Sequence, residues 1–211
     1  MSRSTAYAVE DDVAHMSSAA RLRYFVREDI PVSPFVWGGL LPLLGLALLV
    51  VVVGLVVMFS GVINVGATNP HSPLTQLVLS TTMDNSVRHY AKGIKAPSLN
   101  DPDMVMEGFR HYREICVGCH LAPGVESSEI RKGLMPEPPK LQEAVEEWKP
   151  NELFWVIKNG VKMTGMPAWG PTHSDQKIWA IVAFLEKLPH MTAEQYKEMN
   201  KIAGPDEDDE E

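Results

Sequence analysis

From Ile30 to Met83 the chain carries no aspartate, glutamate, lysine or arginine. Inside that interval runs FVWGGLLPLLGLALLVVVVGLVVMFSGVINV, residues 35–65. About 20 consecutive apolar residues already span a bilayer as a helix. A segment this long can tilt or extend past the lipid. It is too long for the core of a signal peptide and follows a long polar leader. The competing reading is a cleaved signal, because the small residues of Val65-Gly66-Ala67-Thr68 follow it. Arg21, Arg23 and Arg27 precede the span, and the first basic residue after it is Arg88. The positive-inside rule then predicts a cytoplasmic N-terminus, with the C-terminal two-thirds on the other side. Trp37 stands at one end as an interfacial anchor. Gly38 with Gly45, and Gly54 with Gly61, are each seven apart and would share a helix face, although glycine is common in membrane helices anyway.

The two sides of the span differ in character. Residues 1–34 form a polar leader; SSAARLRYFVREDI within it reads equally as an interfacial helix, with Leu22, Tyr24, Phe25 and Val26 partly buried, or as a loose cytosolic tail. The net charge of −8 in 211 residues comes largely from the far end, where Asp206 to Glu211 are all acidic. Between residues 66 and 205 acids and bases nearly balance. The acidic run reads as a solvated end; the sharper reading is a docking arm for a basic partner.

The chain has two cysteines, Cys116 and Cys119, in HYREICVGCHLAPG, with His120 directly after. Three chemistries use this spacing. Zinc needs four ligands, yet no second cysteine pair exists, and His71, His89, His111, His173 and His190 form no ligand pair. A redox dithiol needs a βαβ setting, whereas the flanks read as helix before and Pro/Gly-rich loop after. The third reading is C-x-x-C-H haem attachment, in which both thiols add to the vinyl groups and the histidine becomes an iron ligand. It accounts for all three residues at once. Downstream, NGVKMTGMPAWGP offers two thioethers for the other axial position. Met166, bracketed by Gly165 and Pro167, suits a fixed loop; Met163 lies nearer the preceding helix and is the alternative.

These residues resemble a class I c-type cytochrome domain of the kind found in membrane-anchored bacterial electron carriers. Gly108, Tyr112, Cys116, Cys119 and His120 match its G-x-x-x-Y-x-x-x-C-x-x-C-H pattern. Pro139 and Leu141 in EPPKL resemble the Pro-x-Leu segment, Gly165-Met166-Pro167-Ala168-Trp169 the sixth-ligand loop, and KIWAIVAFLEKL the closing helix. The resemblance covers about residues 100–190. The loop between His120 and Pro139 is longer and more charged than in the smallest members. The resemblance implies one covalent haem c, an all-α fold wrapped around it, and axial ligation by His120 and Met166. It implies that the Pro139 carbonyl accepts a hydrogen bond from His120 and that Trp169 packs near the haem edge.

Helix signals agree with an all-α domain. Asn100 or Asp101 caps a helix with Pro102 in its first turn, running to about Cys116. Gly108 permits a close crossing, with Phe109 and Tyr112 packing beside it. The crossing partner is expected at Gln176 to Leu188, where Ile178, Val182, Leu185 and Leu188 recur at helical spacing. Thr172 and Asp175 resemble a capping box. Another helix is expected from Pro150 to Asn159, ended by Gly160, and a short one in LQEAVEEW. A domain of this size is marginal without the haem as part of its core. Residues 66–99 are expected to be a linker, broken by Asn69, Pro70 and Pro73 and holding a short helix, and residues 191–211 an acidic tail.

The functional expectation is an electron carrier rather than an enzyme: a membrane-tethered monohaem cytochrome c at the periplasmic face of a bacterial inner membrane. Its partners would be redox proteins, a reductase or a terminal oxidase, and neither nucleic acid nor a small-molecule substrate. The alternative is a fixed haem subunit of an oxidase or reductase complex. A third class is a gas sensor whose Met166 dissociates.

Overall fold

The computed structural model describes residues 34–204, with side chains from Gly38 onward. The leader, the Trp37 side chain and the acidic run from Asp206 lie outside the described residues. The chain divides into two units, Met1–Asn64 and Val65–Glu211. The described residues are helical, without a named strand.

The first unit contributes α1, Pro34–Ser60. Its 27 residues reach about 40 Å at a rise of ~1.5 Å each, more than the ~30 Å hydrocarbon core of a bilayer. This apolar helix near the N-terminus fits a single-pass membrane anchor. The helix stops short of the expected residue 65. Gly61 follows it at φ +69, the left-handed conformation that commonly closes a helix. Gly61 therefore shares no helix face with Gly54, contrary to the spacing argument.

The second unit begins with α2, Pro73–Ala91, whose N-cap Ser72 accepts from the Thr75 N–H. This segment was expected to be a linker with a short helix. It forms 19 helical residues, and its second half belongs to the domain. Val87 and Ala91 are buried. The Asn151 side-chain amide donates to the Ala91 carbonyl at 2.8 Å. Tyr90 stacks on Trp155 with ring centroids 5.8 Å apart, and the Arg88 guanidinium lies over Trp148. The first half is different: Leu74, Leu77 and Val78 are exposed.

Helix α3, Pro102–His111, is capped by Asp101, whose carboxylate accepts from the Asp103 N–H. It continues as a π turn over Tyr112–Cys116 and then as the short α4, Val117–His120. Next come α5, Glu129–Gly133, and α6, Leu141–Ala144, the latter continued by a 3₁₀ turn, Val145–Glu147. Helix α7, Pro150–Asn159, ends at Gly160 as its sequence requires.

Helix α8, Asp175–Leu185, crosses α3 at Gly108, where an added Cβ would lie 1.8 Å from the Ala180 carbonyl oxygen. Around this crossing Phe109, Tyr112 and Phe184 pack with centroids 5.0–5.4 Å apart. The cap of α8 is Ser174, whose hydroxyl accepts from the Lys177 N–H, and not Thr172. Thr172 is taken instead by His173 and by the Trp169 carbonyl.

The tail expected from residue 191 begins later. Ala193–Ala203 form α9, closed by a Thr192–Gln195 capping box. Tyr196 of α9 meets Phe109 edge-on at 5.2 Å. Arg113 ties its end by donating to the Asn200 side chain and the Gly204 carbonyl.

Candidate haem-binding site

The C-x-x-C-H segment is held from both ends. Tyr112 is buried, and its hydroxyl donates to the Leu121 carbonyl at 2.5 Å. Burial pushes the phenol well above its usual titration range, so it stays a donor. Leu121 sits at φ +63, a conformation costly for a side chain of this size. The buried Tyr112 bond offsets that cost and fixes the turn directly after His120. On the other side the Ser128 hydroxyl donates to the Gly118 carbonyl at 2.5 Å.

His120 Nδ1 lies 2.9 Å from the Pro139 carbonyl oxygen. A carbonyl only accepts, so Nδ1 carries the proton and a neutral ring presents its lone pair at Nε2. Burial lowers the pKa of this ring; the Pro139 hydrogen bond opposes that and the nearby Arg131 charge adds to it. The ring is therefore neutral at neutral pH, the state that a metal ligand requires.

Burial, followed by the neighbouring Cys119, pushes the Cys116 thiol up to about 12. A buried thiol so reluctant to ionise is a poor redox nucleophile. Among the described residues no group of three or more His, Cys, Asp or Glu side chains is placed to share a metal ion. The βαβ setting of a redox dithiol is likewise missing among the described residues.

Cys116, Cys119, His120, Pro139, Met166 and Trp169 all line one cavity of about 220 Å³. The rest of its wall is largely apolar, with Leu141, Val145, Leu153 and Val156 from α6 to α7. Met163 takes no part: it sits at φ +60 and is 97% exposed. The loop carrying Met166 is braced internally. The Thr164 hydroxyl accepts from the Met166 N–H and donates to the Val161 carbonyl. Val161 N–H donates to the Met166 carbonyl, and Trp169 N–H to that of Ile157. A Cβ added at Gly165 would lie 2.6 Å from the Leu134 side chain, which would have to shift.

Much of the cavity wall escaped the sequence reading, and two contributors stand out. Met83 of α2 lines the cavity although it belongs to the supposed linker; no local pattern marks it. The segment from Ser128 to Leu134 touches both the Cys–His stretch and the methionine loop, and its only sequence signal was unusual length and charge. Two thiols, an imidazole lone pair and a thioether around an apolar cavity are the donor set that covalent haem needs.

Residues 103–185 match the family described as cytochrome C oxidase, cbb3-type, subunit III. This part of the chain is a monohaem c-type cytochrome domain. It binds covalent haem c, and its chemistry is electron transfer. No curated protein matches the chain.

Proposed function

We propose that Cys116 and Cys119 would hold the haem as thioethers, and that His120 Nε2 and Met166 would ligate its iron. Pro139 orients the His120 ring, and Trp169 packs near the haem edge. When bound, haem c supplies an iron centre that changes oxidation state by one electron. With His120 and Met166 both committed to the iron, the site would move electrons rather than bind a substrate there. The observation that carries this reading is the convergence of all six side chains on one apolar cavity, with the His120 proton committed to Pro139.

The chain is then a single-pass, membrane-tethered carrier passing electrons between respiratory partners. Its N-terminus is cytoplasmic and its haem domain periplasmic, supported by the arginines before the apolar helix and none until Arg88 after it. A second reading, a fixed haem subunit of a membrane oxidase or reductase, draws on the oxidase subunit named in the matched family.

Solubilisation in mild detergent separates the two: a free carrier elutes alone, whereas a subunit elutes in stoichiometric complex. Protease added to spheroplasts should release a haem-bearing fragment. Haem colour that passes into the organic phase on acid–acetone extraction would refute the thioether assignment.

A further inference from the structure

The charged loop between His120 and Pro139 has a geometry that gives it a task. Ser128 opens α5 by accepting from the Arg131 N–H at 3.1 Å, while its hydroxyl is bonded to Gly118 within the Cys–His stretch. Helix α5 is thus fixed at its start to the backbone that carries His120. One turn later the Arg131 side chain, only 16% exposed, reaches the proline segment. Its Nε donates to the Pro138 carbonyl at 3.1 Å, and its Nη1 pairs with the Glu137 carboxylate.

Pro136, Pro138 and Pro139 have no N–H, so this stretch cannot be anchored through backbone donors at those positions. It is anchored through its acceptors. Arg131 takes the carbonyl of Pro138, and His120 takes that of Pro139. The two carbonyls are adjacent, and proline fixes φ between them, so the position of one constrains the other.

We propose that Arg131 is a positioning residue for His120, acting through the Pro138–Pro139 backbone to hold the acceptor of the Nδ1 proton in place. This rests on the reading of His120 as an iron ligand. A guanidinium suits the task better than an ammonium, because its fixed fork serves the carbonyl and the carboxylate together. Partners behind a ligating histidine set its orientation and basicity.

The test uses the full-length haem-loaded protein carrying Arg131→Gln, Arg131→Lys or Glu137→Gln. Nuclear magnetic resonance follows exchange of the His120 Nδ1 proton with deuterium in the reduced state, and the reduction potential is recorded beside it. Both arginine variants should exchange about tenfold faster or more, as expected when a hydrogen bond is loosened. The lysine variant should not rescue, because it keeps the charge without the fork. Glu137→Gln, which leaves the bond to Pro138, should change exchange least.

Wild-type exchange in both arginine variants would overturn the proposal, even if their melting temperatures fell. So would full rescue by lysine, which would reduce the role of Arg131 to its charge. Should Arg131→Gln fail to accumulate, Arg131→Lys carries the same test. His120→Ala distinguishes the underlying reading: if its haem spectrum matches wild type, His120 is not the ligand. If that spectrum changes while the Arg131 variants remain silent, only the positioning role falls.

Discussion

Gly108 rests on the backbone of Ala180, so closely that a Cβ would come within 1.8 Å of the carbonyl oxygen. Two effects of Gly108→Ala oppose each other. Alanine favours a helix over glycine by about 1 kcal/mol. Overpacking a tight contact typically costs about 1–3 kcal/mol, and here the neighbour is backbone that cannot swing away. Packing should win, so the haem-loaded variant should lose stability in a denaturant titration. A more stable variant would show that the α3–α8 crossing is looser than described.

Met166 and Met163 should respond in opposite ways. Met166 lines the cavity and Met163 is exposed. Met166→Ala should abolish the weak near-infrared band of methionine-to-iron coordination in the oxidised protein. It should also lower the potential, because a thioether ligand raises it. Met163→Ala should leave both unchanged. The reverse pattern would move the ligand to Met163.

Separating the tether from the redox domain depends on where the cut falls. A chain beginning near Pro97 discards α2, and with it Val87, Ala91 and the cavity-lining Met83. Losing one buried valine and the Asn151–Ala91 bond should cost about 3 kcal/mol. A chain beginning at Pro70 keeps all of these. Exported with a borrowed signal, the longer form should match the full protein in haem spectrum and melting temperature, while the shorter should bind haem but melt lower. Equal melting temperatures would show that the packing of α2 adds nothing.

The haem-loaded protein should weaken in mild acid partly through His111. Burial lowers its pKa from the ordinary 6.5, with the Lys177 and His173 charges adding to the effect and Glu114 and Glu107 opposing it. The unfolded chain therefore takes up this proton first. Stability from the neutral ring is complete above about pH 6.5, falls as pH drops below it, and levels off once the folded ring also titrates. Urea midpoints across pH 5–8 should fall less in His111→Gln than in wild type. An unchanged slope would remove His111 as the cause.

Local chemistry was legible wherever neighbouring residues determine the outcome. Asp101 with Pro102 started a helix and Gly160 ended one, because caps and breakers act within a turn. Gly108 announced a close crossing, and Ile178, Val182 and Leu185 named its partner. The cap of α8 was misplaced by two residues. Thr172 and Ser174 are both competent acceptors, and the choice fell to Ser174 once Thr172 was occupied by His173 and Trp169.

The sequence by itself determined the apolar helix, the all-α domain and the Cys–Cys–His stretch, since each rests on composition or on residues a few positions apart. Tertiary structure decided which methionine faces the cavity: Met163 and Met166 are chemically identical, and only the backbone of their loop turns one outward. It also made α2 and α9 part of the domain, through Ala91 under Asn151 and Tyr196 against Phe109. Those contacts join residues 60 or more positions apart. Whether such a helix packs or hangs free depends on a surface that no window of its own sequence contains.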